Sequence, residues 1–448
     1  MRSRWVLLIL CLVQFVDVLG VTSSTTAIPS ILHGLGAPES AAALVATAYA
    51  MFFGGLLVLG SRLGDKFGHR RVLLTGIALF SVVSVLGAAS ITIEQLLAAR
   101  GLQGAAAALS VPSALSLLLH SASDQGGRRT ALALWSASGA AAGASGFVVG
   151  GILAEIWGWR SVFWINAPLG VLLFAGALAA VPAMAPQNRR QQLDISGALL
   201  LVGSVMSIVA GASLLESAEL RPVGTAVAVF GLILAAGFVV RQRRAASPLI
   251  PAEAFRSRNL QAGTVVSFVN TATTSSATVL ATLMLQNQLG ASPLQAGLIL
   301  ISFSLAVVVG SYASKPLGEG MPPQAMAALG LGAIAAGNTV LLATYGTWLG
   351  VVAGSAVAGA GIGVSSVAGT SIGSDVPDHL TGTSSGVLNT GAQLGTAVGV
   401  SALVMVANSI RLGPFPGTAV AWTLASALAL LTAVWVARVP LRGARQDD

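Results

Sequence analysis

Fifteen acidic residues occur in the chain, and one of them lies deep inside an apolar stretch: Asp17, in VLLILCLVQFVDVLGV. An ionised carboxylate at the centre of a bilayer costs ~2.5–3.5 kcal/mol on insertion scales, so it needs a partner, water or a proton. A carboxyl that can take up and release a proton there has the chemistry that couples proton flow to another process. The one basic residue in a comparable setting is Arg100, in LLAARGLQG. The remaining acids, among them Glu39, Asp65, Glu155, Glu216 and Asp375, fall in loops, tails or helix ends. Neutral polar side chains add a second set of candidates. Gln14 lies near Asp17, Gln103 one turn from Arg100, and Asn270 and Thr274 follow Ser267 at helical spacing. Asn389 and Gln393 form an i, i+4 pair. These six could line a cavity or could bond between helices.

The elements that position them follow from composition. The 448 residues are 55% hydrophobic and 8% charged, with 53 glycines. That charged share is roughly a third of a soluble protein's, which excludes a cytosolic enzyme, a disordered regulator and a secreted disulfide scaffold. A helix needs ~20 apolar residues to cross the hydrocarbon core. Fourteen such runs are present, from 5–27 and 41–61 through 383–407 and 418–437. They lack the strict alternation of barrel strands, so an all-α polytopic membrane protein is expected. Residues 1–27 imitate a signal peptide, but Gln14, Asp17 and the lack of a small-residue cleavage pattern read as a retained first helix. Cys11 is the single cysteine, which leaves no intramolecular disulfide.

An even number of crossings puts both termini on one face. With the termini cytoplasmic, 19 Lys and Arg fall on inner loops and tails, against Arg160, Arg221 and Arg411 outside and Arg100 within a helix. The positive-inside rule then gives N-in, C-in in the cell membrane, and the net charge of +8 reads as topology rather than as nucleic-acid binding. The polar stretches 182–194 and 241–259 divide the helices into six, two and six. The expected organisation is an N-terminal bundle (1–183), an inserted two-helix hairpin (184–245) and a C-terminal bundle with a short tail (246–448). No repeat is visible residue by residue, so the symmetry rests on helix count alone.

Depth brings the two buried charges together. Asp17 lies 12 residues past Trp5, ~18 Å above the inner boundary, and Arg100, six residues below Glu94, lies ~21 Å above it in a ~30 Å core. We expect them to pair.

The loop after the second helix, GSRLGDKFGHRR (Gly60–Arg71), resembles the signature loop of the major facilitator superfamily, with Leu63, Asp65, Gly68 and Arg70 in register. ARGLQGAAAA (Ala99–Ala108) is similar to the family's fourth helix. WGWRSVFWINAPLG (Trp157–Gly170), SPLIPAEAFRSRNL (Ser247–Leu260), LQNQLGASPLQAG (Leu285–Gly297) and GTSSGVLNTGAQLGTAVG (Gly382–Gly399) resemble stretches of its fourteen-helix drug:proton antiporters. The resemblance runs nearly end to end. It implies the major facilitator fold, two six-helix bundles plus an inserted hairpin. It further implies proton-coupled efflux of small amphipathic or apolar compounds by alternating access. Asp17 and Arg100 would then couple the proton, and Asp65, Gly68 and Arg70 would form a conformational latch.

Two departures stand out. The fifth helix of this family ends an antiporter motif in G-P-x-x-G-G, whereas here Gly143, Gly146, Gly150 and Gly151 are kept and Phe147 replaces Pro. Close helix packing survives and the Pro kink does not. That substitution keeps a proton symporter or a uniporter for a metabolite open. In the first helix Gly20 stands at the family's acidic position and Asp17 three residues earlier.

Other signals carry less. GAGIG (Gly359–Gly363) lies in an apolar helix with no strand before it, and Asp375, Asp378 and His379 lack the spacing of a standard metal site. A membrane enzyme for lipid-linked substrates would want clustered acids or histidines at one face. We therefore expect no catalytic residue, metal or cofactor and no nucleic-acid partner. The expected partners are a small-molecule substrate, protons and the bilayer, around a monomer.

Overall fold

The computed structural model describes residues 2–121, 125–182, 184–186, 192–216, 219–377, 380–409 and 416–441. The basic pair Arg189–Arg190, the Asp378–His379 step and Arg411 lie outside the described residues. The helices are α1 (Arg2–Leu35), α2 (Ala41–Phe67), α3 (His69–Ala88), α4 (Ile93–His120) and α5 (Gln125–Trp157). Then follow α6 (Ser161–Ala180, with a break at Ile165), α7 (Ile195–Leu214), α8 (Arg221–Arg244) and α9 (Arg258–Leu283). The chain closes with α10 (Pro293–Gly320), α11 (Pro323–Ala343), α12 (Trp348–Gly373), α13 (Thr381–Ser409) and α14 (Gly417–Arg438). All fourteen expected spans appear as helices. Thirteen of the described helices are long and apolar enough to cross a membrane. The exception, α9, is 26 residues long but carries the polar run Asn270–Ser276, where Thr273, Thr274 and Ser276 bond back to carbonyls of the same helix.

Capping sets where several spans begin. Thr92 accepts from Gln95 N ahead of α4, Asp194 from Gly197 N ahead of α7, and Ser257 from Leu260 N ahead of α9. Ser292 and Gln295 form a reciprocal capping box at α10. Between α2 and α3 the chain turns on one residue, Gly68, at φ 96°. A side chain strongly resists that conformation, which is why the turn carries glycine.

Packing shows the two-fold plan. In the first half α1 packs on α5, α4 on both α2 and α3, and α3 on α6. In the second half α9 packs on α13, α12 on both α10 and α11, and α11 on α14. Across the middle α2 meets α13 and α5 meets α10, and each interface maps onto the other when the halves are exchanged. The pair α7–α8 packs on itself, and α7 reaches α2 and α13, so the hairpin lies outside the bundles.

The repeat invisible in the sequence is written in the glycines. A Cβ on Gly60 would overlap the Ala108 carbonyl, and one on Gly310 the Ala360 carbonyl. Gly76 meets Ala106 and Ser110, and Gly330 meets Gly361 and Ser365. Gly104 abuts the Tyr49 carbonyl, and Gly359 that of Phe303. Gly146 and Gly150 press on Thr22 and Ser23 of α1, and Gly395 and Gly399 on Thr271 and Ala272 of α9. Each contact recurs about 250 residues on, as expected for parallel repeats. With no hydrophobic force between helices in lipid, such backbone approaches carry much of their association.

Gly60→Ala and Gly310→Ala should each destabilise the folded protein by the ~1–3 kcal/mol typical of overpacking. Gly332 has nothing within 4 Å of its Cβ position, so Gly332→Ala should hold or raise stability. Thermal unfolding of the three variants in detergent checks the ordering.

Candidate functional site

Asp17 on α1, Tyr49 on α2 and Arg100 on α4 are all buried. Tyr49 donates its phenolic proton to Asp17 Oδ1. The Arg100 guanidinium carbon lies 5.2 Å from the centre of the Tyr49 ring. Asp17 and Arg100, expected from depth to pair, form no salt bridge; Tyr49 touches both, Asp17 through its hydroxyl and Arg100 through its ring. Arg100 Nη1 donates to Gln103 Oε1 at 3.3 Å, and Gln103 Nε2 to Ser84 Oγ at 2.8 Å on α3. Arg100 Nε has no partner among the described residues. The chain of contacts thus runs through α1, α2, α4 and α3.

Sequence reasoning missed Tyr49. The available signal was a polar-tipped aromatic in the otherwise apolar ATAYAMFF, one of only three tyrosines. Gly20, at the family's acidic position, faces Phe80 and Asn166 instead.

Between the halves lies a cavity of about 420 Å³. α1 contributes Val21, Thr22 and Thr25, α2 Ala46, and α5 Ser136, Gly139, Ala140, Gly143 and Phe147. α9 adds Ser275, Thr278 and Val279, α10 Phe303, Ser304, Val307 and Ser311, and α13 Thr396 and Val400. Val21 and Ala46 are one helical turn from Asp17 and Tyr49, so the Asp17–Tyr49–Arg100 cluster sits just beyond the wall.

The six polar residues expected to line a cavity do not line this one. Gln103 is consumed by Ser84 and Arg100. Asn270 bonds Ser365 Oγ (2.8 Å) and Ser366, Thr274 returns to the Asn270 carbonyl, and Asn389 to that of Ser385. Gln393 packs its stem on Gly54 at the α2–α13 contact. Gln14 comes nearest, beside Gly139, with a buried Oε1 that lacks a donor among the described residues. For Gln103 and Asn270 the reason is that a buried amide is satisfied first by its neighbours.

The α5 glycines divide their labour. Gly146 and Gly150 seat α5 on α1, Gly151 abuts Pro293 and Leu294 of α10, and Gly143 lines the cavity while its carbonyl accepts from Ser304 (2.9 Å). With Phe147 in place of Pro, α5 runs 33 residues without a break. The Phe147 carbonyl accepts from Thr26, and Gly297 closes on it.

At the end of the molecule bearing the termini, Asp65 Oδ1 is 3.1 Å from His69 Nε2 across the Gly68 turn. Arg70 reaches the Leu178 carbonyl (2.6 Å). A residue not singled out from the sequence, Arg62, ties α2 to the segment before α9, donating to the carbonyls of Ser247 (3.2 Å), Pro248 (2.5 Å) and Leu249 (3.2 Å). Asp194, buried at the start of α7, binds Arg241 (3.1 Å) and Gln242 (3.2 Å), and Gln242 accepts from Ile250 N (3.0 Å).

The opposite end is closed by carboxylates that each accept across a boundary. Glu39 takes Asn287 (2.5 Å), Glu155 takes Ser292 (2.6 Å) and Leu294 N (3.0 Å), and Glu216 takes Asn408 (2.9 Å). Burial holds the Glu216 carboxyl above its ordinary range, against the Asn408 bond and with help from Glu39. Gln286 adds a bond to the Thr26 carbonyl (2.8 Å). The cavity floor at the terminus-bearing end is open by comparison, with Ser136 and Ser311 both exposed. No group of three or more potential metal ligands occurs among the described residues.

A sequence profile of the Major Facilitator Superfamily matches residues 10–263. The chain is 33% identical over 418 residues to the cephamycin export protein CmcT of Amycolatopsis lactamdurans, covering 90% of this chain and 85% of that one. It is 31% identical over 462 residues to the puromycin resistance protein pur8 of Streptomyces alboniger, covering 97% and 91%. Among solved structures, a peptide transporter POT in complex with sulfate matches with a TM-score of 0.69 over 96% of this chain and 93% of that one. At 17% identity that likeness is one of fold.

Tyr49→Phe removes the donor to Asp17 and should destabilise the protein by the ~1–3 kcal/mol of an unsatisfied buried group. Asp17→Asn keeps an acceptor for Tyr49 and sheds a buried charge, so it should cost less. Thermal unfolding of both variants at one pH measures the order.

Proposed function

Since the chain belongs to the major facilitator superfamily, and is a transporter rather than an enzyme, we propose that it exports small amphipathic or apolar compounds, antibiotics among them, in exchange for protons. Cephamycin export and puromycin resistance in its relatives support that cargo class. The observation that carries the reading is the central cavity, set between the halves and one turn from a buried carboxyl. The basic residues favour N and C termini in the cytoplasm, which makes the carboxylate-sealed end external and the described state inward-facing. We take 1–183 and 246–448 as the moving bundles, 184–245 as the inserted hairpin, and the monomer as the working unit.

The coupling works through Tyr49. Ionised, Asp17 holds the phenol, and the phenol ring carries Arg100 on its face. Protonated, the carboxyl no longer requires that donor, the Tyr49 bond weakens and Arg100 loses its nearest negative charge. The change passes through Gln103 to Ser84 and so reaches four helices of one bundle. It biases the choice between inward- and outward-facing states, as a bistable element requires. Asp65, Gly68 and Arg70 act as the latch at the cytoplasmic face. The driving force suffices: one proton through 100 mV releases ~2.3 kcal/mol, about 1.7 factors of ten in substrate ratio.

In inverted vesicles energised by respiration, a panel of fluorescent amphiphiles and antibiotics should collapse the pH gradient as they are taken up. Asp17→Asn should abolish both signals while the protein still inserts. Uptake with no proton signal would make the protein a uniporter and Asp17 a structural partner of Tyr49.

A further inference from the structure

We propose that the central cavity binds its substrate in an electrically neutral form bearing N–H or O–H donors, and that it discriminates against cationic amphiphiles. The inference rests on the export reading for why the cavity is occupied at all. It is carried by the charge and hydrogen-bond inventory of the wall.

No lining side chain is charged. The nearest carboxylate, Asp17, is buried and already holds the Tyr49 phenol, whose ring in turn carries Arg100. Its charge is therefore answered inside the bundle and is not offered to the cavity. A cation entering would exchange its hydration shell for a wall without a counter-ion, which buried charges do not tolerate. The phenyl faces of Phe147 and Phe303 return only part of that loss.

The wall is polar nonetheless, and its polarity has a direction. A hydroxyl has one donor and two acceptor sites. Thr22 spends its proton on the Val18 carbonyl (3.0 Å), Thr25 on Val21 (3.1 Å), Thr278 on Ser275 (2.9 Å) and Ser304 on Gly143 (2.9 Å). Ser275 and Thr396 bond each other at 3.3 Å, which spends one of their two protons. Apart from the one proton left on that pair, what these oxygens have to offer is lone pairs. Among the lining hydroxyls only Ser136 and Ser311, at the open end, have no partner among the described residues. A molecule with an apolar body and a few amide N–H or hydroxyl donors is the complement of such a wall.

The test uses the purified full-length protein in detergent and two naphthyl amides that differ at one end. One carries a tert-butyl group and the other the isosteric trimethylammonium group. Fluorescence titration should show the neutral amide binding tighter by about tenfold or more, which is ~1.4 kcal/mol. Methylating its amide nitrogen, which removes the donor, should weaken binding by several-fold. Ser136→Asp, which puts a carboxylate in the wall at an exposed position, should narrow or reverse the preference. Equal or tighter binding of the cation, indifference to N-methylation, or no binding of the neutral amide would each overturn the proposal. The export reading is judged separately, in the energised vesicles. A neutral amide that binds without being pumped sinks export alone, and a trimethylammonium probe pumped as fast as the neutral one sinks this inference alone.

Discussion

Two helices in lipid gain nothing hydrophobic by meeting, so their association depends on how closely their backbones can approach. In this protein that constraint is met by glycine at nearly every principal crossing. The α2–α4 contact turns on Gly60 and Gly104, α3–α4 on Gly76, and α1–α5 on Gly146 and Gly150. The second half repeats the arrangement with Gly310, Gly359, Gly330, Gly395 and Gly399. Because the two sets of crossings share a register, the halves share a shape. The cavity lies on the interface between them because neither half alone can surround it.

The frame is duplicated and the chemistry is not. The position on α10 matching Tyr49 is Phe303, since each offers its carbonyl to the matching glycine of the partner helix. Phe303 has no hydroxyl to give, and among the described residues no acid or base of the second half is buried as Asp17 and Arg100 are. In its place the second half buries Asn270 against Ser365 and Ser366, a fully neutral cluster. Among the described residues, the buried charges are thus confined to the first half. The unbroken α5, with Phe147 where a kinking residue could have stood, carries both cavity-lining residues and Glu155 of the carboxylate-closed end on one continuous helix.

Much of the fold was legible from composition and spacing. Fourteen apolar runs became fourteen helices, and even the polar α9 was found because its flanks are apolar. The six-two-six division was read from two charged stretches. The residue-level repeat was hidden because what recurs is the spacing of small residues against carbonyls, which has no counterpart in side-chain identity. Asp17 and Arg100 stood out because an isolated charge in hydrocarbon has few explanations. Tyr49 did not, since a phenol in an apolar helix reads as bulk until its partner is known. The cavity wall was missed for a related reason. Attention fell mostly on amides, whereas the polar part of the wall is made of serine and threonine hydroxyls.

Arg62 grips three backbone carbonyls rather than a carboxylate. The attraction between a charge and a dipole fades with distance faster than that between two charges. Such a grip has short reach. Once α2 and the 247–249 segment part by a few ångströms, little remains to draw them back, and the separated state is not pulled upon from afar. Nor can the carbonyls be neutralised by a change of pH. The contact behaves as a snap fastener, holding firmly when shut and exerting almost no force when open, which lets two stable positions exist without a slope between them.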